Sequence, residues 1–460
     1  MTNVEKYDLV VFGGGKAGKT LAMDEARAGR KVAMIEAGMI GGSCINVACI
    51  PSKTFIRSAE IAHTLGQAAQ FGFPEATAEP DMGVVAARTA NVVGEMVRTN
   101  QSGFDASGLE LLLGWGAFVA PRIIAVAGTA GPRHVTADSI FINLGTLAEI
   151  PDLPGLKDAN PLTHVEALRI GEPVRKLLIL GGGFIALELG QAFKRLGTEV
   201  TIIERGQRLL PREDADVADS ILAAMKTEGL EVVLGCDVAA VEGKSGLAVT
   251  VTAADGRRFD GTHLLVATGR RPRTKDIGLE IAGVATDERG FIEVDDHLRT
   301  TANGIWAMGE VAGTPMFTHA SLDDYRIVKS DLNGGTRRTT DRTIPYCVFI
   351  DPEYARIGLN EEDARREGLA YRVAKLPMDV IPRARTLSRR EGFMNAIVAG
   401  HTDEILGFSM LGENAGEVMS VVQMAMLGKL PYTALRDCIF AHPTISEGLN
   451  MLFANVRAPD

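Results

Sequence analysis

The sequence predicts an α/β protein of several domains, and three observations support this prediction. The chain has 460 residues, and a chain of that length is expected to form about three domains rather than one core. Hydrophobic residues make up 46% of the chain and aromatic residues only 5%, and the 51 glycines suit tight turns between strands and helices. Two distant segments, residues 13–36 and 181–204, also share one strand, turn, helix and strand pattern.

Charge and hydropathy exclude several classes of partner. The formal net charge of −10 is spread along the chain without a basic run, so neither nucleic acid nor an anionic membrane is an expected partner. No apolar stretch reaches the ~18 residues that a membrane span needs, and the N-terminus lacks a signal-peptide pattern. Five cysteines in 460 residues do not form a disulfide framework. We therefore expect a cytoplasmic protein.

The first repeated segment, GGGKAGKTLAMDEARAGRKVAMIE, follows the apolar run DLVVF. Gly13 would form the tight turn, Gly15 would let the backbone approach a pyrophosphate, and Gly18 would allow close packing of the helix. The helix N-terminus offers free N–H groups and a positive dipole to the phosphates. Glu36 closes the second strand, where a carboxylate can accept hydrogen bonds from a ribose. The segment predicts a Rossmann-type dinucleotide-binding domain.

The second segment, GGGFIALELGQAFKRLGTEVTIIE, repeats the pattern after the run KLLIL. Gly181 and Gly183 recur, Ala186 takes the third small position, and Glu204 again closes the second strand. Two structural turns followed by coincident glutamates are the alternative, but a repeat of the whole pattern favours binding. The chain is therefore expected to bind two dinucleotides.

The residue at the end of the second strand bears on the choice of nicotinamide. A carboxylate at Glu204 repels a 2′-phosphate and accepts from a 2′-hydroxyl, which favours NADH. Arg205 and Arg208 follow at once and could bind a 2′-phosphate, so NADPH stays possible.

A cysteine pair follows the first unit in GGSCINVACIPSK, residues 41–53. Cys44 and Cys49 are separated by four residues, and a local distortion of a helix there, at Pro51, would bring the two sulfurs within bonding range. A disulfide that closes so short a loop adds little stability and suits exchange chemistry. A metal half-site or two unrelated thiols are the alternatives, although zinc sites usually show a second cysteine or histidine pair.

This cysteine segment resembles the active-site signature of the class I pyridine nucleotide-disulfide oxidoreductases, the family of glutathione reductase, dihydrolipoamide dehydrogenase and mercuric reductase. The resemblance covers essentially the whole chain and implies FAD and NAD(P)H as cofactors. Other family landmarks occur in order: GGGFIALE (181–188), LLVATGRRP (264–272), TTANGIWAMGE (300–310) and AHPTISE (441–447).

The resemblance implies two Rossmann-type dinucleotide-binding domains and an α+β C-terminal dimerisation domain, and hence a homodimer. The expected parts are an FAD-binding domain (1–150), an NAD(P)-binding domain (151–271), a second FAD-contacting part (272–341) and a dimerisation domain (342–460).

The resemblance also assigns roles near the flavin. Cys49 would lie against the flavin as the charge-transfer thiolate, and Cys44 would be the outer thiol that attacks the acceptor. Lys53 and Glu188 would pair near the flavin N5, although on residue type alone both would be surface residues.

Three further residues of the landmarks are expected to contact the nucleotides. Gly309 and Glu310 belong to the second FAD-binding motif, where the family normally has Asp in place of Glu310; this substitution puts the contact with the ribityl chain in question. Gly269 is assigned to the NAD(P) site. No metal cofactor is predicted.

His442 and Glu447 match the acid-base pair of the family, which reaches the cysteines of the other subunit. A histidine can take up and return a thiol proton near neutral pH. Cys438 lies four residues before His442 and could share a helix face with it as a third thiol, but we expect it to be a buried small hydrophobe. Cys236 and Cys347 are interpreted as structural.

The acceptor is less determined by the sequence. Four stretches of the chain resemble the branch of the family that confers resistance to reactive chlorine and reduces copper(II). They are FGGGKAGKTLA, SLDDYRIV, IPRAR and LPYTALRDCIFAHPTISEGLN. The expected function is electron transfer from NAD(P)H through FAD to the Cys44–Cys49 disulfide and on to a disulfide or a soft metal ion such as Cu(II) or Hg(II). One alternative is a dihydrolipoamide dehydrogenase or another low-molecular-weight disulfide reductase. Another is a flavin-dithiol redox sensor that does not turn over.

Overall fold

The N-terminal part folds as an α/β layer around strands that the sequence marks by apolar runs between glycines. The computed structural model of the protein describes residues 3–74, 79–129 and 131–457. The strands up to residue 148 are β1 (Val4–Phe12), β2 (Val32–Glu36), β3 (Glu110–Leu113), β4 (Trp115–Ala120), β5 (Ile123–Gly128), β6 (Gly131–Ile142) and β7 (Thr146–Ala148). The helices are α1 (Lys16–Arg27), α2 (Ser43–Asn46), α3 (Cys49–Gly66) and α4 (Met82–Ser107), with a 3-10 turn at Ala68–Phe71.

Six of these strands, β1 to β6, form one twisted sheet in the order β3-β2-β1-β6-β5-β4, and β7 lies outside it. β1 pairs in parallel with β2 and with β6, and β2 pairs in parallel with β3. All five residues of β2 are buried, as expected for a strand that is covered on both faces. The carboxyl ends of β1 and β2 therefore meet at one edge, where open α/β sheets bind ligands.

The second nucleotide unit is built in the same way. Its strands are β8 (Lys176–Leu180), β9 (Glu199–Ile203), β10 (Glu231–Val233), β11 (Val238–Lys244), β12 (Ala248–Ala253), β13 (Arg258–Gly261), β14 (His263–Val266) and β15 (Arg270–Pro272). Its helices are α5 (His164–Ala167), α6 (Phe184–Arg195) and α7 (Ala215–Thr227). A four-stranded sheet has the order β10-β9-β8-β14, and a three-stranded sheet has the order β11-β12-β13. Antiparallel pairing of β15 with β7 joins this unit to the first.

The C-terminal part returns to the first sheet and then forms a sheet of its own. Its strands are β16 (Ile305–Ala307), β17 (Tyr346–Val348), β18 (Tyr354–Gly358), β19 (Tyr371–Pro377), β20 (Phe393–Ala399) and β21 (Ile405–Leu411). Its helices are α8 (Thr318–Leu332), α9 (Glu361–Arg366), α10 (Pro382–Leu387), α11 (Ala415–Leu427), α12 (Tyr432–Asp437) and α13 (Gly448–Ala454), with 3-10 turns at Gly309–Ala312, Thr339–Asp341 and Met378–Val380.

The pairing of these strands agrees with the predicted fold class. β16 pairs in parallel with β6, so this segment belongs to the first sheet. The last five strands form an antiparallel sheet in the order β17-β18-β21-β20-β19, and residues of α11 and α13 share its buried core. This is the expected α+β arrangement, and the domain boundaries given above stay a prediction.

The helical segment after the cysteines is longer than the sequence indicates. A helical excursion from about residue 53 to 100 is expected, whereas α3 begins at Cys49 and α4 ends at Ser107. Asp81 caps α4 by accepting from the Val84 N–H at 3.1 Å, which sets its start. Residues 75–78 of this segment lie outside the described residues. In the described part of the chain, none of the helices combines the length and hydropathy that crossing a bilayer requires.

Candidate active site

The two cysteines lie on either side of a break between two helices. α2 ends at Asn46 and α3 begins at Cys49, and the intervening Ala48 has φ −129° and ψ −104°, which is not helical. A local distortion is therefore present between the cysteines, but it lies at Ala48 and not at Pro51, where the sequence predicts it. Pro51 lies in the first turn of α3, where its missing N–H removes no helical hydrogen bond. Cys44 and Cys49 are both half-buried.

The surroundings make Cys49 the thiolate of the pair. A hydrogen bond from Cys44, a hydrogen bond with Thr318 and the charge of Lys53 outweigh burial and lower the pKa of Cys49 to about 6. Its sulfur lies 3.3 Å from the Thr318 Oγ1, and it sits at the N-terminus of α3, where the helix dipole favours an anion. The hydrogen bond to Cys49, followed by burial, raises the pKa of Cys44. The thiol proton therefore stays on Cys44.

Replacing Thr318 by valine is expected to raise the pKa of Cys49 by about one unit, because a hydrogen bond to a charged group is lost. The folded-state pKa of Cys49 lies below its ordinary value, so the thiolate is present above about pH 6 and is lost as the pH falls. The measurement is the pH dependence of Cys49 alkylation in a Cys44→Ser background. Thr318→Ser keeps the hydroxyl and should retain the original midpoint; equal midpoints in all three proteins would contradict the assignment.

Lys53 and Glu188 form the expected pair. The Lys53 Nζ donates to the Glu188 Oε2 at 2.7 Å, and Glu188 is 5% exposed. The Glu188 Oε1 accepts from the Phe349 N–H at 3.0 Å, and the Lys53 ammonium lies 4.5 Å above the Phe349 ring. These contacts join α3, α6 and the segment after β17. The buried carboxylate holds Lys53 next to the cysteine helix.

A cavity of about 480 Å³ links the first glycine turn with Cys44. Its lining includes Gly13, Gly15, Glu36, Cys44 and Thr318. It therefore runs from the residues expected at a pyrophosphate and a ribose to the residues expected at a redox centre.

The first glycine turn cannot carry side chains. Gly13 has φ +105°, and a Cβ there would meet the Asn143 carbonyl oxygen at 2.5 Å. A Cβ on Gly18 would meet the Gly13 carbonyl oxygen at 2.5 Å. The Glu36 carboxylate accepts from the backbone N–H of Gly14 at 2.9 Å, so it is fixed at the mouth of the turn. These features fit a dinucleotide whose pyrophosphate lies at the N-terminus of α1.

Glu310 lines the same cavity. Its carboxylate accepts a hydrogen bond from Thr146, and its Oε2 lies 3.5 Å from the Arg270 Nε. The preceding Gly309 donates its N–H to the fully buried Asp324 at 2.6 Å. The longer side chain thus still reaches the cavity, and together with the first glycine turn these residues fit FAD.

The second glycine turn also leaves room for a nucleotide. Gly181 has φ +108°, and a Cβ there would lie 2.5 Å from the Ala267 carbonyl oxygen, whereas a Cβ on Gly183 would point into open space. Ala186 is fully buried in α6, and the Glu204 Oε1 accepts from the Gly206 N–H at 2.6 Å. This turn has the tight approach, the open backbone and the acidic residue that a dinucleotide needs.

Two neighbouring positions bear on the nicotinamide site. The Arg208 guanidinium is paired with Glu362 at 2.7 and 2.9 Å, which occupies one of the two arginines that might bind a 2′-phosphate. Gly269 has φ +149°, and its carbonyl accepts from the Glu149 N–H at 3.0 Å. Gly269 therefore lies at the connection between the two nucleotide units.

His442 and Glu447 form a hydrogen bond of 2.8 Å through the His442 Nδ1. The histidine side chain is 69% exposed and that of Glu447 is 13% exposed. The Glu447 carboxylate orients the imidazole ring, and the Nε2 of the ring points away from this carboxylate. Within the described part of the chain, neither cysteine of the pair forms a hydrogen bond with His442.

The expectation for Cys438 is wrong. Its thiol is exposed and not buried. α12 ends at Asp437, and Cys438 itself is extended with φ −65° and ψ 144°, so it does not share a helix face with His442. The i to i+4 argument fails because the helix stops one residue too early. Cys236 is buried and Cys347 is half-buried.

Three supporting residues were not found by sequence reasoning. Thr318 contacts Cys49, the buried Asn143 accepts from the Gly18 N–H at 2.9 Å, and Asp324 fixes Gly309. Thr318 is far from the cysteines in sequence and belongs to no spacing pattern. Asn143 alone carried a signal, because it directly follows the apolar run SIFI that ends at the same sheet edge as β1.

The comparisons with known proteins agree with this geometry. The family "Pyridine nucleotide-disulphide oxidoreductase" matches residues 7–324, and its dimerisation domain matches residues 344–452. The FAD- and NAD(P)H-dependent chemistry of the family fits the two glycine turns, and the dimerisation domain supports a homodimer.

Several similar proteins match nearly the whole chain. "Probable pyridine nucleotide-disulfide oxidoreductase RclA" of Escherichia coli is 38% identical over 99% of this chain and 100% of the relative. "Dihydrolipoyl dehydrogenase" of Thermus scotoductus is 37% identical over 97% of this chain and 96% of the relative. The structure titled "Cu(II) complex of HOCl-induced flavoprotein disulfide reductase RclA" from Escherichia coli matches with a TM-score of 0.91 and 37% identity, covering 99% of this chain and 100% of that chain. This chain belongs to the pyridine nucleotide-disulphide oxidoreductase family and is a flavin-dependent oxidoreductase.

Proposed function

We propose that the chain is an NADH-preferring enzyme that delivers electrons through FAD and the Cys44–Cys49 pair to an organic disulfide or to Cu(II). The observation that carries the proposal is the shared cavity, which brings Cys44 and Thr318 together with Gly13, Glu36 and the rest of the FAD-binding set. When bound, FAD supplies the exchange of an electron pair between a nicotinamide and the cysteines.

The residues of the pair divide the work. Cys49 is held as a thiolate next to Thr318, and Cys44 keeps the thiol proton. For a disulfide acceptor, Cys44 loses its proton and attacks one sulfur, which releases the first thiolate. Cys49 then attacks Cys44, which releases the second thiolate and closes the Cys44–Cys49 disulfide. The acceptor gains two electrons and the dithiol loses two. For Cu(II), the same two electrons reduce two ions to Cu(I).

The base for Cys44 is proposed to come from the other subunit. The Nε2 of His442 of the partner subunit would take the proton of Cys44 and return it to the departing thiolate. Glu447 would stabilise the imidazolium, because its carboxylate is 2.8 Å from the ring. Lys53 and Glu188 would hold the flavin at its N5 edge, next to the cysteine helix.

The choice of acceptor class follows from the relatives. One relative is named a dihydrolipoyl dehydrogenase, and the matching structure is a Cu(II) complex of RclA. A thiolate pair can transfer electrons to a disulfide or to a soft metal ion. A redox sensor that does not turn over would need neither the second glycine turn nor the His442–Glu447 pair, so we favour an enzyme.

The test is a panel of acceptors under anaerobic conditions with NADH in excess. Cu(II), Hg(II), oxidised glutathione, lipoamide and other small disulfides are supplied one at a time to the parent enzyme and to Cys44→Ser. An acceptor counts only when its reduction is lost in Cys44→Ser, because flavins also leak electrons directly. Equal rates in both proteins for every acceptor would refute the proposal.

NADH is expected to be preferred over NADPH by about tenfold or more in kcat/KM, which corresponds to ~1.4 kcal/mol. The Glu204 carboxylate would repel a 2′-phosphate, and Arg208 is engaged by Glu362. Steady-state kinetics with each nucleotide measures the ratio. Glu204→Gln should lower the ratio of kcat/KM for NADH to that for NADPH, mainly by lowering the KM for NADPH. A preference for NADPH in the parent enzyme would contradict this assignment.

A further inference from the structure

Lys19 is a charged side chain that the electron path described above does not use. The residue lies in the first part of α1 and is only 5% exposed. Its Nζ donates to the Asn100 Oδ1 of α4 at 2.6 Å and to the Gly41 carbonyl oxygen at 3.1 Å. Lysine is rarely buried unless a carboxylate pairs with it, and both acceptors of Lys19 are neutral.

The charged groups that act on Lys19 point to Cys44. Burial and the nearby charge of Lys16 lower the pKa of Lys19 to about 8, and Cys44 is the one group whose charge raises it. Among the described residues, no acidic side chain contributes to this balance. Once Cys44 loses its proton, its thiolate is therefore the negative charge that acts on this buried ammonium.

Lys19 also holds the backbone that leads to Cys44. Gly41 and Gly42 have φ +90° and +82°, in the left-handed region that favours glycine. A Cβ on Gly42 would meet the Gly15 Cα at 2.9 Å, so this turn is packed against the first glycine turn. The hydrogen bond from Lys19 to the Gly41 carbonyl fixes the turn three residues before Cys44.

We propose that Lys19 is a positioning residue for the outer thiol: it holds the Gly41–Gly42 turn and supplies the buried positive charge that stabilises the Cys44 thiolate. This inference rests on the proposed role of Cys44 as the attacking thiol. Cys44 must lose its proton before it attacks, and both its hydrogen bond to Cys49 and its burial oppose that loss. The charge of Lys19 acts in the other direction and favours the Cys44 anion. The role of Lys19 differs from that of His442, because Lys19 stabilises the charge and the histidine moves the proton.

The test measures the reactivity of Cys44 without any acceptor. In a Cys49→Ser background, alkylation by iodoacetamide is followed at the peptide that contains Cys44 by mass spectrometry, across a pH series. Lys19→Met has a side chain of nearly the same shape without the charge. Its Cys44 midpoint is expected to rise by about one pH unit, and its alkylation rate near neutral pH is expected to fall about tenfold.

Two further variants separate charge from packing. Lys19→Gln keeps hydrogen-bond donors without the charge and should show the same rise in midpoint. FAD content and melting temperature show whether each variant folds. If Lys19→Met does not fold, Lys19→Gln alone tests whether the charge of Lys19 lowers the midpoint of Cys44 alkylation. Lys329→Met is the matched control, because Lys329 also contacts α1 but is paired there with two carboxylates, Asp24 at 2.8 Å and Glu25 at 2.5 Å. This variant should leave the midpoint of Cys44 alkylation unchanged.

An unchanged midpoint in a folded Lys19→Met or Lys19→Gln protein would overturn the inference. A change of the same size in Lys329→Met would overturn it as well, because the effect would then not be specific to Lys19. Failure of the proposed function has a different signature, namely acceptor reduction that survives in Cys44→Ser. The two failures are therefore distinguishable.

Discussion

Replacing Cys49 by serine is expected to abolish electron transfer to every disulfide or metal-ion acceptor, by about a thousandfold or more, while FAD stays bound. Loss of a nucleophile that forms a covalent intermediate commonly costs this much or more. Cys49 carries the thiolate of the pair, and the hydroxyl of serine neither ionises near neutral pH nor forms a disulfide with Cys44. The measurement is anaerobic, acceptor-dependent oxidation of NADH, alongside rapid mixing of the enzyme with NADH alone.

The Cys49→Ser variant should keep the first half of the reaction, the reduction of the flavin by NADH. NADH should still bleach the flavin absorbance in Cys49→Ser, because the residues of both glycine turns are unchanged. The long-wavelength absorbance that a thiolate next to the flavin produces should be absent. Cys438→Ser is the matched control, because its thiol is exposed and outside the cavity; its turnover should equal that of the parent. Acceptor turnover near the parental rate in Cys49→Ser would show that the electrons leave by another route.

The parts of the site that sequence could predict are those encoded by local spacing. The glycines at 13, 15 and 18 specify a turn within one βαβ unit, and the interval between Cys44 and Cys49 specifies a short loop. Each of these features is determined by residues within one segment, so a single pattern is enough to recognise it. The pairings of Lys53 with Glu188 and of His442 with Glu447 came instead from the resemblance to a family, and the structure contains both.

The parts that sequence could not predict depend on contacts between distant segments. Thr318 reaches Cys49 across 269 residues of chain, and Arg208 is occupied by Glu362 across 154 residues. Lys19 is buried, and its Nζ contacts Asn100 of α4, which is 81 residues away in the chain. For Cys438 a local pattern was misleading. Its spacing of four residues from His442 indicates a shared helix face only within a helix, and α12 ends before Cys438.

The contacts of Lys53 join three parts of the chain next to the cysteine helix. Lys53 lies on the cysteine helix, Glu188 on the helix of the second nucleotide unit, and Phe349 just after the first strand of the C-terminal sheet, and the three are in mutual contact. Glu188 is almost fully buried, so its charge must keep both the ammonium and the backbone N–H as partners. Movement of the cysteine helix or of the segment after β17 would remove one of the two partners of this buried carboxylate, which favours a fixed arrangement of the three.

Replacing His442 by alanine is expected to lower acceptor turnover by about a hundredfold or more, the usual contribution of a general base. The loss should be smallest at high pH, where hydroxide can remove the Cys44 proton. Reduction of the flavin by NADH does not need this base and should be unchanged. Glu447→Gln should give a smaller loss with the same direction, since it keeps the ring in place but removes the charge that stabilises the imidazolium. Both variants are measured by steady-state and rapid-mixing kinetics.

A mixed dimer tests whether the histidine acts across the subunit interface. Homodimers of Cys44→Ser and homodimers of His442→Ala should both be inactive with the acceptor. If each site combines the cysteines of one chain with His442 of the partner subunit, a dimer of one chain of each kind contains one intact site. Random mixing makes about half of the dimers mixed, so about a quarter of the parental activity should return, as expected for isologous pairing. If the histidine acts within its own chain, both sites of the mixed dimer stay defective and no activity returns.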